Sequence, residues 1–151
     1  MFRITSTMKM DSSSGPRCGG LLAVNLLFLM LWGFAGIGKV VSGMPAWFGD
    51  KFGQTILARV PGLGASFWIL TLAELLAFTL ALMALLRGEF LGRRPQVCLR
   101  WMLVWSLFVF VQLAFGQWLT SDFNSAFQLV AYFGVTLVAL QFVIRGSTLD
   151  Q

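Results

Sequence analysis

The sequence predicts an all-α protein: a four-helix transmembrane bundle with an interfacial amphipathic segment in its first outer loop. Three observations carry this reading. The 151 residues are 58% hydrophobic and only 11% charged, where an ordinary soluble domain carries about 25% charged residues. So few charges cannot cover a water-facing surface, so lipid must be the solvent for most of the chain. The apolar residues are gathered into four long runs, each near the ~20 residues that a helix needs to cross a bilayer core. Between the runs stand short polar segments rich in glycine, proline, serine and asparagine, the residues that punctuate helices.

The clearest run is 21–38. It holds one polar residue, Asn25, and is followed by Lys39. A buried helix of a soluble protein would show a polar face, and this one does not. The first span is therefore placed at about 21–42. On a helical wheel Asn25, Trp32, Gly36, Lys39 and Gly43 share one stripe, which should face protein rather than lipid.

Residues 1–20 are polar and mixed, with Arg3, Lys9, Arg17 and a Ser12-Ser13-Ser14-Gly15-Pro16 run; they read as a disordered cytoplasmic tail. The apolar run behind them is too long for a signal peptide, and no Ala-x-Ala site follows it. The four-helix domain covers 21–145. In its first loop Pro45 opens an amphipathic segment at its first helical position. Trp47, Phe48, Phe52, Ile56 and Val60 would lie on the apolar side, with Asp50, Lys51 and Gln54 toward water. Pro61-Gly62 ends it.

The second span is about 65–87. Ser66, Ala73, Glu74, Ala77, Ala81 and Ala84 form a small-residue seam on one face. A basic loop with Arg93 and Arg94 leads to a third span at about 98–119, which carries Gln112, Gly116 and Gln117. Ser121, Asp122 or Asn124 then caps a fourth span at about 126–144. That span carries Gln128, Tyr132, Thr136 and Gln141, and 146–151 form a short cytoplasmic tail.

Charge sets the orientation. Arg3, Lys9, Arg17, Arg87, Arg93, Arg94, Arg100 and Arg145 fall on one side, and Lys39, Lys51 and Arg59 on the other. Eight against three places both termini and the middle loop in the cytoplasm. The net charge of +5 belongs to this pattern and to anionic lipid, and nucleic acid is not an expected partner. The chain has no histidine, and its two cysteines, Cys18 and Cys98, are far apart in sequence. No metal site is expected. Both thiols would stand near the cytoplasmic face, where they stay reduced.

Two residues stand out chemically. Glu74 is a carboxylate roughly 14 Å inside its span, costly unless it has a partner or a task. Lys39 is roughly 6 Å from the end of its own span. The two spans are antiparallel neighbours, and the ~8 Å difference in depth is within reach of two long side chains, so Lys39 and Glu74 should pair. The plain alternative for Lys39 is snorkelling to the interface; for Glu74 it is a purely structural bond. Asn25, Gln112 and Gln117 are further intramembrane polar candidates. They either line a polar cavity or hydrogen-bond between helices, and the same choice applies to Gln128 and Gln141. No nucleophile–base constellation is visible, so the chain is not expected to be an enzyme on its own.

The first span closes in Phe34-Ala-Gly36-Ile-Gly-Lys39, and the second carries Glu74 before a Leu/Ala run ending in Leu86-Arg87-Gly88. An apolar helix closing in Phe-x-Gly-x-x-Lys, a longer outer loop and a second helix with an intramembrane glutamate resemble the DoxX family of small four-helix membrane proteins. The resemblance covers about 21–145. Family members often carry an arginine eleven residues before the motif glycine; here that position is Asn25. The resemblance implies a bacterial inner-membrane protein linked to redox assemblies, with a quinone as the one cofactor it suggests and a redox partner protein or second copy as partner. It also implies site roles for Lys39 and Glu74, with Gly36 as the packing glycine. A small transporter or channel subunit using Glu74 and Lys39, and a structural assembly protein, are the alternatives. Against transport, the four spans show no inverted repeat.

Overall fold

The computed structural model describes residues 14–91 and 94–148. Five helices follow one another: α1 (Ser14–Ser42), α2 (Ala46–Phe52), α3 (Leu63–Leu86), α4 (Val97–Leu119) and α5 (Phe123–Thr148). Short 3₁₀ turns stand at Ile56–Ala58 and Glu89–Leu91. Four of the helices, α1, α3, α4 and α5, are long and apolar enough to cross a membrane. In lipid a chain must satisfy its backbone hydrogen bonds internally, and a helix does so within each span.

The spans pack in chain order: α1 on α3, α3 on α4, α4 on α5, with a light closing contact between α1 and α5. We call the end that holds α2 and the α4–α5 turn the distal end, and the end that holds the start of α1 the proximal end. The alanine seam of α3 faces inward as the sequence suggested, with Ala77, Ala81 and Ala84 fully buried. Gly33 and Gly36 let α1 come close to α3: a Cβ on Gly36 would stand 3.0 Å from Leu75, and one on Gly33 3.1 Å from Phe78. Trp32 is buried and donates from Nε1 to Ser106 Oγ (2.8 Å), which itself donates to the Met102 carbonyl (2.7 Å). Trp105 Nε1 donates to the Ala73 carbonyl at 2.8 Å. Each indole N–H thus finds an acceptor across a helix interface, as a buried tryptophan requires.

Three expectations are corrected. The expected disordered tail over 1–20 is helical from Ser14. Pro16 stands in the first turn, where its missing N–H leaves no bond unmade. The rest of that expectation, over 1–13, lies outside the described residues. At the other end α5 runs to Thr148, past the expected boundary at 144 and into the expected tail. No proline interrupts it, and Arg145 in its last turn suits the negative end of the helix dipole.

The amphipathic segment is also shorter than expected. It ends at Phe52, and Pro45 is the residue before its first turn, not the first helical residue. Phe48 and Phe52 are buried against Phe67 of α3, with ring centroids 4.6 Å and 5.4 Å apart along the Phe52–Phe48–Phe67 cluster. Trp47, Ile56 and Val60 are exposed. The segment therefore turns its phenylalanines toward protein and forms a roof over the distal end of the bundle.

Candidate functional site

The polar residues singled out in the spans separate into two places. Asn25 is fully buried in the proximal half. Its amide donates to the Ala81 carbonyl (2.9 Å) and accepts from the Leu85 N–H (3.0 Å) in the orientation that satisfies both. Those two groups are the acceptor and donor of a single i, i+4 rung of α3, so Asn25 clamps α1 to α3. It stands about 21 Å along α1 from Lys39 and takes no part in the site below.

Lys39 and Glu74 meet in the distal half. Lys39 Nζ donates to Glu74 Oε1 at 2.7 Å and to Oε2 at 2.6 Å. Glu74 is 1% exposed, and the Lys39 side chain 26%. Gly36, one turn before Lys39, lets α1 lie close enough to Leu75 for this contact to form. Burying either charge alone would cost several kcal/mol, and the pair offsets this only because both carboxylate oxygens are engaged. An ammonium has three N–H groups. Two are taken by Glu74, which leaves one.

Lys39 also lines a cavity of about 740 Å³ at the distal end. Its walls come from the last turns of α1, the first turns of α3 and the last turns of α4, with α2 as its roof. Phe34, Trp47, Phe48, Phe52, Phe67 and Phe115 give it six aromatic side chains. Gln112, Gln117 and Ser66 are the further polar side chains on the wall, together with Ser42. The Ser66 hydroxyl oxygen is out of solvent and has no hydrogen-bond partner. Size, apolar walls and a few convergent polar groups are the features of a small-molecule site. Gln128 and Gln141 are exposed on the outside of α5 and have no place on this wall.

The roof is tied down. Lys51 of α2 donates to Gln117 Oε1 (2.6 Å) and to Asp122 Oδ2 (2.9 Å). Asp122 caps α5: its Oδ1 accepts from the Ser125 N–H (3.1 Å) and its Oδ2 from the Ser125 hydroxyl (2.9 Å). The hydrogen bond from Lys51, aided by those from Ser125, holds the Asp122 carboxyl down at about 2. Phe52 packs across onto Gly116, where even a Cβ would still fit at 3.5 Å.

Sequence reasoning missed the Lys51 tie, because its partners lie 66 and 71 residues away. It also missed Glu89. This buried carboxylate accepts from the N–H groups of Cys98 (3.1 Å) and Leu99 (2.9 Å) at the start of α4. An acidic residue shortly before an uncapped apolar helix was the available signal.

Fold and site together define a multi-pass integral membrane protein with a lysine, backed by a buried glutamate, on the wall of a largely apolar distal cavity. Comparison with protein-family models, with characterised proteins and with solved structures finds no match to this chain.

Proposed function

We propose that this protein is a membrane subunit of a bacterial redox assembly and that its distal cavity receives a quinone. The observation that carries the reading is Lys39, held by the buried Glu74 behind it, on the wall of a cavity with six aromatic side chains. The pair is neutral as a whole, so the site offers hydrogen-bond donors without net charge. An anion would meet the buried Glu74 carboxylate beside the ammonium. A neutral carbonyl oxygen can accept the remaining Lys39 N–H, and flat rings stack on the aromatic walls. The resemblance to DoxX proteins supports the same reading, since it rests on Phe34, Gly36, Lys39 and Glu74, two of which, Phe34 and Lys39, line the cavity.

In this proposal the protein sits in the inner membrane with both termini cytoplasmic, and the cavity opens in the outer leaflet. A partner would dock along α5. Only 11% of its apolar window is buried within the chain, against 39% for α4, so most of α5 is free to meet lipid, a redox partner protein or a second copy.

The test is tryptophan fluorescence of the purified protein in phosphatidylcholine nanodiscs, titrated with duroquinone, a benzoquinone without a long chain. Trp47 lines the cavity, so binding should give saturable quenching that Trp47→Phe removes. Quenching that rises linearly with quinone and is the same in both proteins would refute a site.

A further inference from the structure

A second hollow, of about 530 Å³, runs along the outer face of α1 and is lined by that helix alone. Leu29, Ile37 and Val41 belong to it and not to the cavity, whereas Phe34, Gly38 and Ser42 line both. These three shared residues are spaced by four, so they form one stripe on the helix. Gly38 is the middle of that stripe, and a Cβ placed there would meet nothing within 4 Å. The two spaces therefore adjoin along this stripe, with a glycine at its middle. Polarity divides between them. The cavity holds Lys39, Ser66, Gln112 and Gln117, while the residues confined to the hollow are all apolar or glycine.

We propose that the cavity and this groove together form a site for a head-and-tail lipid ligand. The carbonyl-bearing head lies at Lys39, and the apolar chain leaves past Gly38 along α1 into the bilayer. The proposal rests on the cavity reading above and adds the class of ligand: a long-chain amphiphile that comes in sideways from the membrane. The groove spans 29–42 on α1, about 20 Å along the helix axis. A span runs across the bilayer, so a chain lying there keeps the general direction of the lipid tails around it. Lipid is as apolar as the groove, so transfer of the chain gains little free energy. The groove acts as an exit for the chain, and its effect is steric: a ligand whose chain has no way out cannot seat its head.

The test uses two probes in phosphatidylcholine nanodiscs, with concentrations expressed per lipid: duroquinone, and a benzoquinone bearing a decyl chain. Two variants narrow the exit. Gly38→Leu closes the saddle, and Ile37→Phe fills the groove without touching the cavity wall. In each, the affinity for the decyl probe relative to duroquinone should fall by about tenfold from its wild-type ratio, the size of an overpacking penalty. A ratio that stays within about twofold of wild type in both variants, with duroquinone still bound, overturns the groove and leaves the cavity reading standing. Failure of the wild type to bind either probe overturns both.

Discussion

At the residue scale, Glu74 and Asn25 make an instructive contrast. Both are buried polar groups that bridge α1 and α3, yet their removal should differ in cost. Glu74→Gln leaves the Lys39 ammonium without its counter-charge in a low-dielectric setting. The cost should be about 3 kcal/mol, toward the low end for broken buried pairs because Lys39 keeps some exposure. Asn25→Leu frees the Ala81 carbonyl and the Leu85 N–H, which can bond to each other along α3. The loss should be about 1 kcal/mol or less, the scale of interhelical hydrogen bonds in membranes. Reversible unfolding in mixed micelles measures both, and equal losses would contradict this ordering. The Lys39–Glu74 pair was legible in the sequence because helix rise converts residue number into depth, and two antiparallel neighbours fix which depths meet. Asn25's partners were not legible. Its stripe said that it faces protein, but no sequence rule selects one backbone rung of α3 from its neighbours.

At the scale of elements, the α3 seam and the α2 roof carry separate predictions. Ala77 is fully buried on the seam, so Ala77→Leu should overpack the interface and cost about 1–3 kcal/mol. An unchanged melting temperature in detergent would mean that the seam has slack. The roof tie depends on pH through Asp122. Its carboxyl lies at about 2 in the folded protein and has an ordinary value of 3.8. A lowered folded value means that the tie's contribution is fully present above about pH 4. It is lost as pH falls toward 2. Melting temperature should therefore drop across that window, and Asp122→Asn, which keeps a capping oxygen, should flatten the drop. An identical acid profile in the variant would remove Asp122 as the cause. The four spans were legible as runs of hydropathy. The roof was read as an amphipathic segment lying in the interface, but its true partners are Phe67, Gln117 and Asp122, brought near only by the packing of α3 and α4. The helical stretches over 14–20 and 145–148 were missed because hydropathy marks where lipid begins, whereas a helix's backbone bonding carries on past that point.

At the scale of the whole molecule, the proposed orientation rests on eight basic residues against three. Asp50 is exposed on α2. A cysteine there, with Cys18 and Cys98 replaced by alanine, should react with an impermeant maleimide in intact cells. Labelling only after the membrane is opened would reverse the orientation and place the cavity on the cytoplasmic side. The joining of spans into a bundle with one distal cavity depends on how far apart in sequence its walls lie, from 34 to 117, and periodicity within a single span holds no trace of it.

The most direct measurement is a double-mutant cycle on the pair that sets Lys39 at the cavity wall. Melting is followed for the wild type, Lys39→Met, Glu74→Leu and the double variant, each with and without duroquinone. If the pair both holds the fold and serves the site, each single variant loses stability and the double variant recovers most of it. Only the wild type should then gain stability from the quinone. A coupling below about 0.5 kcal/mol, or an equal quinone-induced rise in the double variant, would contradict a functional Lys39–Glu74 pair.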